Sequence, residues 1–190
     1  MSHPTPPTEQ PNDPASATPS TPSTAATPLT HLDARGRARM VDVSPKPPMR
    51  RRAVAEGRLV ARPETIDRLM AGDLPKGEGL SVARIAGIQA AKHTSSLIPL
   101  CHGLSLDAVH VDFERAAPDA VRIVAEALIV ARTGVEMEAL TAVSVAGLTL
   151  YDMLKAVDKD LAIDGIRLIE KTKEPIGVPD AEEGGPAVAR

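Results

Sequence analysis

Asp152, Lys155 and Lys159 have the types and the spacing for proton transfer or anion binding. Asp152 and Lys155 stand three residues apart, which makes their side chains neighbours on a helix. A pair of this kind is usually a solvated salt bridge that contributes little. Tyr151, Met153 and Leu154 flank it, so partial burial is expected. A lysine buried beside a carboxylate can act as acid, base or phosphate clamp. Lys76 lies in LPKGEG, a glycine-containing loop ahead of a helix. Such loops can turn backbone N–H groups and a lysine toward phosphate, although a solvated surface lysine is the plainer reading. The segment is not a Walker phosphate loop, because GxxxxGK[ST] is absent from it.

Two further groups invite chemistry. Cys101 and His102 follow Pro99 and Leu100 between a helical stretch and a strand, where side chains project into clefts. A zinc site there fails on ligand count, and adjacent residues rarely face each other as a nucleophile and its base. Contact with a ligand and simple packing stand about even for this pair. Glu136, Met137 and Glu138 begin a long helical run. Thr133 and Glu136 read as a Thr-x-x-Glu capping box, which would account for Glu136 but leaves Glu138 without a local explanation. Glu138 precedes Asp152 by fourteen residues, about 21 Å along a helix axis. One subunit could hardly gather both around a small substrate, whereas a site shared between subunits could.

The elements that must position these groups follow from periodicity. Residues 53–61 read as a strand, and Pro63 opens a helix that runs to Gly72. Residues 80–96 are helical, with Val82, Ile85, Ile88 and Ala91 as the apolar face. Residues 105–114 alternate, with Val109, Val111 and Phe113 on one side, and 121–131 is the expected hairpin partner. A helix is expected over 134–158, with Leu140, Val143, Gly147, Leu150, Leu154 and Val157 along one stripe, and a last strand over 163–171. The order β-α-α-β-β-α-β predicts an α+β, ferredoxin-like split βαβ fold: an antiparallel sheet with helices on one face and an additional helix. The free face of that sheet is expected to be apolar and covered by self-association.

Composition bounds the classes. Residues 1–28 are rich in Pro, Thr, Ser and Ala and are expected to be a disordered tail, with 174–190 a flexible acidic one. The body between them, 29–173, carries a net +2 and reads as one domain. That small excess suits an anionic small molecule better than a nucleic-acid duplex. With only Phe113 and Tyr151 as aromatics, base stacking on single strands is disfavoured as well. The single cysteine excludes an internal disulfide and fits a reducing cytoplasm, and no apolar run of membrane-spanning length is expected.

Three blocks carry a resemblance. THLDARGRARMVDVSPK, ARIAGIQAAKHTSSLIPLCHGL and TGVEMEALTAVSVAGLTLYDMLKAVDKD look like the signature blocks of the cyclic pyranopterin monophosphate synthase family, and the likeness covers about 30–173. It departs at Gly103, where the family commonly has proline, and in the long Pro/Thr tail. The resemblance implies a ferredoxin-like homohexamer, a trimer of dimers, with active sites at the dimer interface. It implies a small-molecule substrate, a 3′,8-cyclised dihydro-GTP, converted to cyclic pyranopterin monophosphate with release of pyrophosphate. Carried over by position, Lys76, Asp152 and Lys155 fall on catalytic positions. Leu100, Cys101, His102, Met137 and Glu138 fall on substrate contacts, and Asp42, Arg51, Glu136 and Lys171 on pocket members. A lysine of lowered pKa would shuttle protons while others hold the triphosphate. No metal, cofactor, nucleic acid or membrane partner is expected. Two rivals stand beside this reading: a zinc-dependent purine-ring-opening enzyme using Cys101 and His102, and a non-catalytic ferredoxin-like nucleotide sensor.

Overall fold

The computed structural model describes residue 33 and residues 35–177, so the expectations for 1–28 and for 178–190 lie outside the described residues. In chain order the elements are β1 (Met49–Val60), α1 (Pro63–Ala71), α2 (Gly79–Lys92), the single turn α3 (Thr94–Leu97), β2 (Ala108–Ala117), β3 (Ala120–Ala131), α4 (Glu136–Leu154) and β4 (Ala162–Glu174). The strands form one sheet in the order β2-β3-β1-β4, antiparallel at every pairing. β1 and β2 therefore point the same way with β3 between them, and β3 and β4 do so with β1 between them. Each βαβ unit is split by a strand of the other, as expected for this α+β class.

Strand alternation sorts the two faces of the sheet. On β1, Ala53, Ala55 and Leu59 are fully buried, as are Val121, Ile123 and Ala125 on β3. Between the sheet and the helices they meet Ile66 and Leu69 of α1 and Val143, Leu150 and Leu154 of α4. The opposite face is not the apolar surface that the sequence suggested. The alternate positions there carry an ion-pair lattice: Arg52 pairs with Glu126 and Glu170, while Glu56 receives Arg122 at 2.6 Å and Arg167 at 2.5 Å. Arg122 also reaches Glu114, and Arg58 pairs with Asp164 at 2.9 Å. The strands look apolar in sequence because every second residue belongs to the core. The residues between them mix these ion pairs with Val54, Val124, Leu128 and Val130.

The most exposed apolar residues of the regular elements lie on the helices, with Val130, Ile166 and Ile169 less exposed on the strands. The apolar stripe expected on α2 is only half buried: Ala91 is in the core and Ile88 packs against it, but Val82 and Ile85 are 44% and 62% exposed. α2 buries its small residues, Gly79, Ala83, Gly87, Ala90 and Ala91. A Cβ at Gly87 would lie 3.0 Å from the Ala142 carbonyl oxygen and 3.3 Å from the Ala146 Cβ, so α2 and α4 approach each other through glycine and alanine. Small side chains bring the helix axes together, and bulk on that face would separate them.

α4 begins two residues later and ends four earlier than periodicity suggested. The capping box does not form. Val135 is the N-cap, without a side-chain hydrogen bond, and the Glu136 carboxylate turns toward Lys171 at 3.3 Å. Among the described residues, α4 alone has the length and composition of a membrane span, closer to that limit than the sequence reading allowed. Ten of its residues are buried in this chain, as in a core helix.

Candidate active site

The two ends of α4 carry the candidate groups. At its C-terminal end, Lys76 swings in from the loop between α1 and α2. Its Nζ donates to the Asp152 carbonyl at 2.8 Å and to Asp152 Oδ2 at 2.9 Å. Lys155 reaches Asp152 Oδ1 at 2.7 Å. One carboxylate thus holds two ammonium groups, one on each oxygen. Lys155, then Lys76, holds the Asp152 carboxyl down to about 2. In return Asp152 raises Lys155 above the ordinary lysine value, the opposite of the lowered pKa that the resemblance suggested.

The expected partial burial is also not met within one chain. The Lys76, Asp152 and Lys155 side chains are 40%, 56% and 56% exposed. Met153 and Leu154 turn into the core, and Asp152 and Lys155 point away from it. Lys159 does not join the cluster through its side chain, because its Nζ donates to the Lys155 carbonyl at 2.5 Å.

At the N-terminal end of α4 the surroundings change. Glu138 is 4% exposed, and burial pushes its carboxyl above the ordinary value against the pull of its own backbone N–H. The Cys101 thiol is raised too, first by burial and then by the Glu138 charge. His102 Nε2 lies 3.0 Å from the Val41 carbonyl oxygen, pinning the segment before β1 across the 98–102 turn. Next along that segment, Asp42 accepts the Ser44 N–H at 2.8 Å, which lowers its carboxyl. Leu100 and Met137 are exposed nearby in sequence, at 36% and 38%.

A cleft of about 200 Å³ opens beside the start of α4, lined by Arg51, Glu136 and Lys171 together with Arg52, Val135 and Lys173. Arg51 donates to the carbonyls of Ala131 at 3.4 Å and Arg132 at 3.2 Å, which fixes its guanidinium at the rim. Gly134 makes room for Glu136: a Cβ there would sit 1.9 Å from Glu136 Oε2. Arg52 and Lys173 were missed in the sequence because β1 was begun at residue 53 and β4 ended at 171, whereas β1 starts at Met49 and β4 runs to Glu174. Extending the alternation of β1 and β4 would have found them, since Arg51 faces Lys173 and Arg52 faces Thr172 across the sheet. Among the described residues, no three His, Cys, Asp or Glu side chains come together as a metal site.

The chain thus brings Lys76, Asp152 and Lys155 into one cluster and Arg51, Glu136 and Lys171 into one cleft. It does not bring the two ends of α4 together. Fourteen residues of continuous helix separate Glu138 from Asp152, about 21 Å. Carboxylate-held lysines at one end and a cationic cleft at the other define an α+β protein equipped for an anionic small molecule. The chain belongs to the MoaC family, which matches residues 40–174. It is 55% identical over 155 residues to the cyclic pyranopterin monophosphate synthase of Novosphingobium aromaticivorans, covering 82% of this chain and 98% of that one. Proteins of the same name from Thermomicrobium roseum and Chloroflexus aggregans are 59% and 57% identical over 144 residues, 75% of this chain and 87% of each of theirs.

Proposed function

We infer that this chain carries out the reaction for which its relatives are named. It is a lyase of molybdenum cofactor biosynthesis that converts 3′,8-cyclised dihydro-GTP to cyclic pyranopterin monophosphate and pyrophosphate. The observation that carries this reading is the convergence of Lys76 and Lys155 on the two oxygens of Asp152. The imidazole ring of the substrate must be hydrolysed and the base rebuilt, which moves protons at several atoms. A hydroxyl oxygen must then attack the α-phosphorus as pyrophosphate leaves. Both stages need fixed donors aimed at developing negative charge.

Each lysine ammonium has three N–H donors. Lys155 uses one on Asp152 and Lys76 uses two, so both keep at least one for a ligand. With Asp152 ionised, the cluster keeps a net charge of +1. Lys155, raised by Asp152, enters the reaction as a proton donor. Asp152 orients both amines. Arg51, Lys171 and Lys173 suit the triphosphate, and Glu136, Met137, Glu138, Leu100, Cys101 and His102 suit the base and sugar. Asp42 belongs to the segment that His102 pins, at the edge of the same pocket.

Completing one pocket from both kinds of group requires a second subunit, so the proposal includes a dimer-interface site in a homohexamer, a trimer of dimers. The distance along α4 supports this, as do Ile85 and Leu148, 62% and 60% exposed on the helix layer. The single cysteine fits the cytoplasm as its compartment. Incubating the protein with the cyclised substrate should release one pyrophosphate per product formed. Binding without pyrophosphate release would support the sensor reading and overturn this one.

A further inference from the structure

Asp158 is a buried charge that the proposed chemistry does not use. It is 1% exposed and lies four residues beyond the end of α4. A carboxylate out of water must be matched by donors, and here every donor comes from a defined place. Oδ2 accepts the Arg62 N–H and the Thr65 hydroxyl, each at 2.9 Å. Oδ1 accepts the Asp160 N–H at 2.9 Å and faces Arg62 Nε at 3.3 Å. Burial pushes the Asp158 carboxyl up, but the Arg62 and Asp160 N–H groups, the Thr65 hydroxyl and the Arg62 guanidinium together hold it at about 2.

Arg62 and Thr65 frame the start of α1, whose own N-cap makes no side-chain hydrogen bond. Asp158 therefore caps α1 from ninety-six residues away. Arg62 Nη2 also donates to the Val157 carbonyl at 2.7 Å, so the start of α1 is held twice on the turn after α4. The other end of α1 leads directly into the loop that carries Lys76. Leu69 and Leu74 pack there with Leu150 of α4 around Gly79. The chain from Arg62 to Lys76 is thus closed onto α4 and its following turn at both ends, by Asp158 and by Asp152. A helix is stiff along its axis, so releasing one end displaces the other.

We propose that Asp158 is a positioning residue: by capping α1 from the turn after α4, it sets where Lys76 meets Asp152. The proposal rests on the reading of Lys76 and Asp152 as catalytic, and its test reads geometry separately from activity. Asp158→Asn keeps the shape and an acceptor but removes the charge that matches Arg62. In the full-length protein, kcat for pyrophosphate release should fall about tenfold with KM changed less than about twofold, the pattern of a mispositioned group whose substrate binding is kept. A crystal structure of the variant should show Lys76 withdrawn from Asp152. Thr65→Val, which removes one donor and no charge, should give a smaller effect of the same kind, and Thr65→Ser should restore wild-type rates. If Asp158→Asn does not fold, the Thr65 pair decides alone.

The proposal fails if Lys76 stays on Asp152 in the Asp158 and Thr65 variants, whatever the rates. If Lys76 moves and kcat does not, Asp158 sets its position and the reading of Lys76 as catalytic falls instead. Should the wild type release no pyrophosphate, the functional reading falls, and the position of Lys76 in the variant crystals still decides whether Asp158 sets it.

Discussion

The two ends of α4 hold acidic groups in opposite electrostatic settings. Asp152 at the C-terminal end is half exposed, paired with two lysines and held ionised down to about 2. Glu138 at the N-terminal end is almost fully buried, and its carboxyl is pushed up by desolvation with Glu136 two residues away. A cluster of exposed, mutually held charges is ready to reorganise around a ligand, because its lysines keep N–H donors on the solvent-accessible side. A buried carboxyl two residues from a cleft-lining glutamate is instead fixed in place by its packing. Neither end is a complete site within one chain. On the proposed reading the first would supply reacting groups and the second shape, and their separation along the helix would then call for a second subunit.

The largest expected effects separate those roles. Lys76→Ala and Lys155→Ala should each reduce pyrophosphate formation more than about a hundredfold, as expected for removal of a donor aimed at developing charge. Both side chains are exposed, so circular dichroism and sedimentation should be unchanged. Lys171→Ala, in the cleft at the other end, should instead raise KM about tenfold with kcat nearly kept, the mark of lost ground-state binding. Wild-type rates in a Lys76 or Lys155 variant would remove that lysine from the mechanism, and a kcat collapse in Lys171→Ala would erase the contrast between the two ends.

A second experiment tests whether the ends meet across an interface. Glu138→Ala and Asp152→Ala chains, each inactive and each still assembled, are mixed after reversible dissociation. If one pocket takes Glu138 from one subunit and Asp152 from the next, a mixed dimer has both defects in one pocket and a native second pocket. About a quarter of all sites in a random mixture should then recover, as two-fold symmetry requires. A mixture that stays inactive would place both residues in the service of one chain.

The sequence made these two ends legible to different depths. The Asp152–Lys155 contact followed from helical spacing, and the structure has it at 2.7 Å. The approach of Lys76 to Asp152 spans seventy-six residues and depends on how α1 packs, which no local pattern encodes. The capping box at Thr133 and Glu136 was a sound local rule overridden by tertiary context, because β4 brings Lys171 to the glutamate. The partly misread face of α2 has a similar cause. Periodicity found its apolar residues, but helix–helix packing chose the small ones. The core side of β2 was legible because alternation has only two phases, and Val109, Val111 and Phe113 share one. The split βαβ arrangement followed from the order of the elements. The charge lattice on the other face was present in the sequence as Arg52, Glu56, Arg58, Arg122 and Glu126, and was masked by the apolar residues between them.

Packing between the ends offers a smaller effect. Gly87→Leu would place bulk against the Ala142 carbonyl and Ala146, where even a Cβ lies at 3.0–3.3 Å. Overpacking of this kind costs about 1–3 kcal/mol, and the melting temperature should fall accordingly. Activity measured well below the melt should change less than in any lysine variant, since neither end of α4 is touched directly. A loss as deep as that of Lys155→Ala would mean that the two ends communicate through helix spacing.

The smallest effect is a pair of pH dependences with opposite signs. Asp152 is depressed from 3.8 to about 2, so the stability it contributes is present above pH 3.8 and is lost as pH falls toward 2. Asp152→Asn should therefore be slightly less stable than wild type at neutral pH, with the gap closing below pH 3.8. Exposure and salt screening keep that gap small. Glu138 is raised above 4.5, so the wild type loses stability as pH rises above 4.5, because the unfolded chain ionises before the buried carboxyl does. Glu138→Gln should match wild type, up to a constant offset, below pH 4.5 and gain on it above, levelling off once the folded carboxyl ionises as well. Thermal melts from pH 2 to 8 at low and high salt would read both. The Asp152 difference should shrink with salt, whereas the Glu138 difference should persist, because desolvation is not screened by ions. Two differences of the same sign would show that the ends of α4 share one electrostatic setting, and the contrast between an exposed ion-paired cluster and a buried carboxyl would no longer hold.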